Sequence, residues 1–144
     1  MTLKERLLRF RSFWIFPPAA FFLVYVTFRA EPRRPYLDLF WLLPLGVLAW
    51  TLLEYSLHRF VFHLPTSIRN RRVRDVVNAL HLSHHASPRD PSKVLVHPSY
   101  GAAVSGAILA LLYGLSGSLS AAAGGMAGIW AGFLYYEAVH YRVH

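Results

Sequence analysis

A chain of 144 residues has room for one domain and no more. It is 55% hydrophobic with a positive mean hydropathy, yet its formal net charge is +8, a pairing that points to a membrane protein with cytoplasmic arginine clusters and away from a soluble globule. With no cysteine, disulfides, thiolate zinc sites, iron–sulfur clusters and Cys-ligated haem are excluded. The arginines flank apolar segments instead of lining one polar surface, so the basic balance does not indicate nucleic acid.

Met1 to Arg11 is basic and leads into an apolar stretch, as a signal peptide would. No small-residue cleavage site follows, so an uncleaved membrane anchor is expected. The first apolar stretch, Phe13 to Phe28, is short for a crossing that needs about 20 residues. Pro17-Pro18 is expected to mark its start, where proline is tolerated. Arg29 to Pro35 is a charged, proline-bearing break. Tyr36 to Leu57 is long enough to cross a bilayer and carries Trp41, Trp50 and Glu54, a carboxylate that is costly at membrane depth without a partner.

From Arg59 to Pro98 the chain is polar. Pro65-Thr66-Ser67 predicts a helix start with Thr66 or Ser67 as N-cap. Val73, Val76, Val77, Leu80 and His84 then recur on one face beside Arg69, Arg71, Arg72, Arg74 and Asp75. This predicts an amphipathic helix at the membrane surface; a solvated basic face with no lipid role is the plainer alternative. Ala102 to Val139 has one charged residue, Glu137, and is too long for a single span. A hairpin of two short helices turning near Ser116–Gly125 is expected. Gly101, Ala102, Ser105, Gly106, Gly124, Gly125, Gly128 and Gly132 would let its helices pack closely.

Lys4, Arg6, Arg9 and Arg11 put the N-terminus in the cytoplasm, and two crossings return the chain there at His58. Five arginines from Arg59 to Arg74 agree, whereas Arg29, Arg33 and Arg34 fall on the far side, offset in part by Glu31. The expected fold is an all-α integral membrane protein. It has about four transmembrane helices plus a cytoplasmic interfacial helix carrying part of a histidine-rich di-metal site.

Seven of the eight histidines fall into three groups: His58-x4-His63, His81-x2-His84-His85 and His140-x3-His144. Imidazole is the commonest metal ligand, and each group sits at a segment end on the same inferred side of the membrane. His81, His84 and His85 share a helical face, as do His140 and His144. His58 and His63 differ by about 140° on an ideal α-helix, so they meet one centre only if the helix unwinds near Phe62, or each serves a different metal. Seven histidines exceed the ligand count of one zinc, and two metals sharing them is the natural reading. Glu54 and Glu137 precede His58 and His140 by about one turn. There they would accept the second imidazole N–H and fix the tautomer, with direct ligation as the alternative. Taken singly, each group also reads as polar decoration at a helix end. His97 reads as a surface histidine.

At these residues the sequence resembles the fatty acid hydroxylase/sterol desaturase superfamily of integral membrane di-metal oxygenases. Glu54-Tyr55-Ser56-Leu57-His58-Arg59-Phe60-Val61-Phe62-His63 is similar to the first histidine box of its fatty acid 2-hydroxylase branch. His81-Leu82-Ser83-His84-His85 with Pro88-Arg89-Asp90-Pro91 resembles the second box, and Tyr136-Glu137-Ala138-Val139-His140-Tyr141-Arg142-Val143-His144 the third. The resemblance implies that the seven grouped histidines bind two iron ions, with zinc able to occupy the site in preparations. It implies weaker supporting roles for Tyr55, Asp90, Tyr136 and Tyr141 beside Glu54 and Glu137, and no catalytic residue beyond the metal site.

The implied activity is O2-dependent hydroxylation or desaturation of a lipid acyl chain, with electrons from a separate cytochrome b5- or ferredoxin-like donor. The family has a further His-x-x-His-His box after the third, which this sequence, ending at His144, does not contain. The expectation is therefore a single hydroxylase-like domain, residues 1–144, incomplete at its C-terminus. Its rivals are a truncated or non-catalytic metal-binding protein of the same family, a bis-His haem carrier and a zinc hydrolase.

Overall fold

The computed structural model describes residues 11–30, 35–62, 68–79, 83–86 and 98–143, and these are almost wholly helical. Helix α1 spans Arg11–Ala30 and contains Pro17 and Pro18. The prolines were expected to start the helix and instead lie inside it. They forfeit the bonds to the carbonyls four residues back, but apolar surroundings offer those backbone groups no better partner than a helix does. Thr27, fully buried, donates its hydroxyl to the Leu23 carbonyl at 2.9 Å.

Helix α2 spans Pro35–Leu57 and opens on proline, whose fixed φ suits a first turn. Its 23 residues rise about 34 Å, enough for a hydrocarbon core of about 30 Å. Thr51 and Ser56 turn their hydroxyls back to the Val47 and Leu52 carbonyls, at 2.9 and 2.7 Å, which satisfies them without leaving the helix. From His58 to Phe62 the helix widens into a π turn.

Helix α3, Arg71–Val77, is capped by Asn70, whose Oδ1 accepts from the amides of Arg72 (3.0 Å) and Val73 (3.4 Å). The observed cap thus lies later than Thr66 or Ser67, which are outside the described residues. Asn70 wins the position because its short amide reaches two orphan N–H groups at once. Val77 is buried, whereas Val73 and Val76 are exposed beside the arginines. Helix α4 is the single turn Ser83–Ala86; Leu80, part of the face expected from Val73 to His84, lies outside the described residues.

Helices α5 (Pro98–Ser116) and α6 (Leu119–Val143) form the hairpin. Its turn is tight: Gly117 takes φ +64°, a left-handed conformation that glycine adopts without strain, and returns its amide to the Tyr113 carbonyl. Ser118 caps α6 by accepting from the Ala121 amide. The turn sits at the early edge of the expected Ser116–Gly125 range, and the helices are 19 and 25 residues long, not short. Gly124 and Gly125 belong to helix contact instead.

Helix α6 is the hub, packing against α1, α2 and α5. Ala122, Ala123, Met126, Ala127 and Phe133 on it are buried. Contact with α2 is backbone to backbone. A Cβ at Gly46 would strike the Gly125 carbonyl, and one at Gly128 would strike the Leu43 carbonyl. Gly106, by contrast, faces open space. Phe16 of α1 meets Phe133 edge-on at 5.4 Å, and Trp130 donates its indole N–H to Ser105 of α5 at 2.8 Å.

Outside this seam the helices present Trp14, Phe21, Phe22, Phe40, Trp41 and Leu115 outward, an apolar exterior that water would not tolerate but lipid would. Three helical stretches, Ser12–Ala30, Leu37–Phe62 and Ser99–Ser116, are long and apolar enough to cross a bilayer. This is an all-α integral membrane protein.

Candidate metal centre and lipid groove

The seam is parallel, Asp38 lying against Gly124, Gly46 against Gly128 and Trp50 against Gly132, so it brings the C-terminal ends of α2 and α6 together. Glu54 of α2 accepts a hydrogen bond from the Tyr136 hydroxyl of α6, and its Oε1 lies 3.7 Å from Nδ1 of His58, one turn further along α2. The Tyr136 ring in turn stacks on His140, with centroids 5.1 Å apart and planes 24° apart. Two imidazoles from different histidine groups are thereby joined through one carboxylate and one phenol. The spacing Glu54-x3-His58 put the carboxylate beside that imidazole; only the packing of α2 on α6 brings in Tyr136.

The π turn bears on the first group. It is closed by i→i+5 bonds, so residues five apart approach the same face, and five is the separation of His58 and His63. The π turn runs from His58 to Phe62, and Phe62 is where the paired-ligand reading expects the helix to unwind. His63 itself lies outside the described residues, as do His81, His144 and Asp90. His84 and His85 sit on α4, where His85 is exposed, and Tyr141 lies in the last turn of α6.

Glu137 is buried and accepts from the Ser12 hydroxyl of α1 at 3.2 Å, so it helps seat the first helix as well as lying one turn before His140. Nothing in the N-terminal sequence singled out Ser12. Tyr55 is exposed, and its hydroxyl accepts from Nη1 of Arg59 at 2.6 Å.

Among the described residues, no three of His, Asp or Glu stand close enough together to hold a metal ion. His58 and His140 have the nitrogen chemistry of such a site. A complete ligand set would have to draw on the histidines outside the described residues.

Beside these groups an open groove of about 680 Å³ lies between α2 and α6, a volume typical of small-molecule sites. Val47, Trp50, Thr51, Gly132 and Tyr135 line it toward the start of α2, and Glu54, Tyr55, His58, Arg59 and Tyr136, with Val139 beside them, form its polar end. Gly132 shapes the wall: a Cβ there would press on the Trp50 side chain at 3.0 Å. Sequence reasoning assigned Gly132 to helix packing and passed over Val47, Tyr135 and Val139. Their shared wall follows from the register of α2 on α6, which no local pattern encodes.

No protein-family model matches the chain. It is 36% identical to a dihydroceramide fatty acyl 2-hydroxylase of Arabidopsis thaliana over 99 residues, 69% of this chain and 40% of that protein. It is 33% identical to the fatty acid 2-hydroxylase of Rattus norvegicus over 113 residues, 78% of this chain and 29% of the relative. A ceramide very long chain fatty acid hydroxylase of Saccharomyces cerevisiae is 30% identical over 69% of this chain and 26% of its own length. The chain therefore spans less than half the length of these curated relatives.

A solved structure of full-length scs7p, in which only the hydroxylase domain is visible, superposes with a TM-score of 0.74 at 27% identity. The match covers 91% of this chain and 50% of that one. Sequence similarity to these hydroxylases and a shared helical frame agree: the chain belongs to the fatty acid hydroxylase branch.

Proposed function

We propose that this chain is the membrane-embedded core of an oxygenase that hydroxylates a lipid acyl chain. The observation that carries the reading is the groove, an apolar cleft whose polar end holds His58, Glu54 and Tyr136, with His140 stacked behind. The relatives are named as hydroxylases of fatty acids, dihydroceramide fatty acyl chains and ceramides, which supports an acyl substrate. We take α6 as a fourth crossing and the histidine end as cytoplasmic, on the strength of the basic residues around Arg59 to Arg74.

In this reading His58, His63, His81, His84, His85, His140 and His144 hold two iron ions. Iron with O2 and an external electron donor supplies the redox power to break an unactivated C–H bond, which side-chain acids and bases lack. The chain's own residues prepare that chemistry. Glu54 orients the His58 imidazole by standing at its Nδ1 side, leaving Nε2 to face a metal. Tyr136 fixes Glu54 by its hydroxyl and His140 by its ring, so one side chain aligns donors from two helices. Val47, Trp50 and Val139 keep water from the acyl chain and hold it beside the histidine end.

The test is to express the full-length protein in a host lacking such lipids, measure bound metal, and analyse the fatty acids released from total lipid. The reading expects iron in the purified protein and hydroxylated acyl chains in the extract. Both should fall steeply in His58→Ala and in His140→Ala. Hydroxylated product undiminished in both variants would contradict it, and bound metal without product would favour a non-catalytic relative.

A further inference from the structure

The groove is apolar along most of its length and carries a permanent positive charge at one end. Its α2 wall runs from Val47 to Arg59, roughly 18 Å at the helical rise, close to the depth of about 15 Å of one leaflet's hydrocarbon. Among the described residues two charged side chains line it, Glu54 and Arg59. Glu54 is turned to Tyr136 and His58 and so is not aimed at Arg59.

Arg59 is held in place from two sides. It donates to the Tyr55 hydroxyl at 2.6 Å, and its guanidinium carbon lies 5.8 Å and 5.6 Å from the ring centres of Tyr55 and Phe60. Such contacts position a guanidinium without neutralising it. Its planar fork has five donors and matches a carboxylate in two-point geometry. No carboxylate among the described residues fills that role.

We propose that Arg59 is the specificity-determining residue of this groove. It binds the carboxylate of a fatty acid whose chain lies against Val47, Trp50 and Val139. Because His58 adjoins Arg59, the carbons next to the carboxylate are the ones brought to the histidine end, and the far end of the chain is not. The substrate class is thus an acyl chain with an ionised carboxyl head, in preference to an uncharged ester. This rests on the reading of the groove as an acyl site.

The test is equilibrium binding to the full-length protein in nanodiscs of uncharged phosphatidylcholine, at a pH where the carboxyl is ionised. The probes are chain-brominated hexadecanoic acid and its methyl ester, whose bromines quench tryptophan. Loss of the saturable signal in Trp50→Phe assigns it to the groove. The acid is expected to bind more tightly than the ester. Arg59→Gln should weaken the acid by roughly tenfold to a hundredfold and leave the ester unchanged, with Arg59→Lys between. Retained ester binding shows that the variant is folded.

Equal affinity for acid and ester in the natural protein would overturn the proposal. So would an equal loss of both in Arg59→Gln, or a saturable signal that survives Trp50→Phe. Displacement of the acid by a lysophosphatidate at lower concentration than by unlabelled acid would give the site to a phosphate head and also overturn it. Binding needs neither metal nor turnover. Acid-selective binding without hydroxylation would therefore contradict the function above and leave Arg59 standing. Hydroxylation with unselective binding would do the reverse.

Discussion

Gly128→Ala tests the seam on which the whole site depends. The new methyl would meet the Leu43 carbonyl oxygen and would stand 2.9 Å from the Gly46 Cα. All of these are backbone atoms, which cannot rotate aside. Relieving the carbon contact alone requires α2 and α6 to part by at least about 0.5 Å to reach ordinary van der Waals separation.

Replacing glycine by alanine in a helix contributes up to ~1 kcal/mol through propensity, whereas forcing atoms into a packed contact costs about 1–3 kcal/mol. With rigid neighbours the upper figure applies, and the net loss is about 2 kcal/mol. Gly106→Ala is the same substitution in the same fold with nothing within 4 Å of the added carbon, so it keeps the gain of up to ~1 kcal/mol without the collision. Thermal melts of the two variants in one detergent should split around the natural protein by on the order of 10 °C in total. Parting the helices also loosens the Glu54–Tyr136 bond about two turns away, so Gly128→Ala should lose bound metal while Gly106→Ala keeps it. Equal melting temperatures for the two variants would show that the α2–α6 seam accepts a methyl group and is not closed backbone to backbone.

Tyr136→Phe keeps the ring stacked on His140 and removes the hydroxyl that Glu54 accepts from; leaving that carboxylate short of a partner should cost about 1–3 kcal/mol in unfolding. In the proposed site, metal affinity should drop roughly tenfold to a hundredfold, read by titration with a chelator. Ser105→Ala deprives the Trp130 indole of its 2.8 Å acceptor and should cost about 1 kcal/mol. Adding Trp130→Phe should then cost less than its own single-variant loss, as a double-mutant cycle on one shared bond requires. Asn70→Ala removes the cap of α3 and should destabilise that helix by about 1 kcal/mol. Hydrogen exchange should speed up at the Arg72 and Val73 amides while the global melt stays unchanged.

The apolar runs made the long helices legible in the sequence, because a segment of that length and composition has few alternatives to a helix in lipid. Gly117 at the hairpin turn was less so. The Gly114–Gly125 region offers several turn-compatible residues, and only the packing of Gly124 against α2 and of Gly125 against Leu112 of α5 reserves them for helix contact. Pro17 and Pro18 misled for a related reason: their rule is calibrated on a backbone that can turn to water. Glu54 and His58 are neighbours by local spacing and were legible as such. Tyr136 joins them from α6, and Gly46, which allows the close approach, lay in a stretch that read only as apolar. The π turn at His58–Phe62 has no signature in residue type. It was foreseeable only as the unwinding that would let two histidines five apart share a centre.

The origin of the oxygen atom in the product separates an oxygenase from its rivals. The full-length protein, supplied with reductant, an electron donor and a fatty acid, is run under isotopically labelled dioxygen in unlabelled water, and the hydroxylated acyl product is weighed by mass spectrometry. One labelled oxygen atom is expected in the new hydroxyl, dependent on His58 and His140. A hydroxyl drawn from water, or labelled product formed equally well without either histidine, would contradict it.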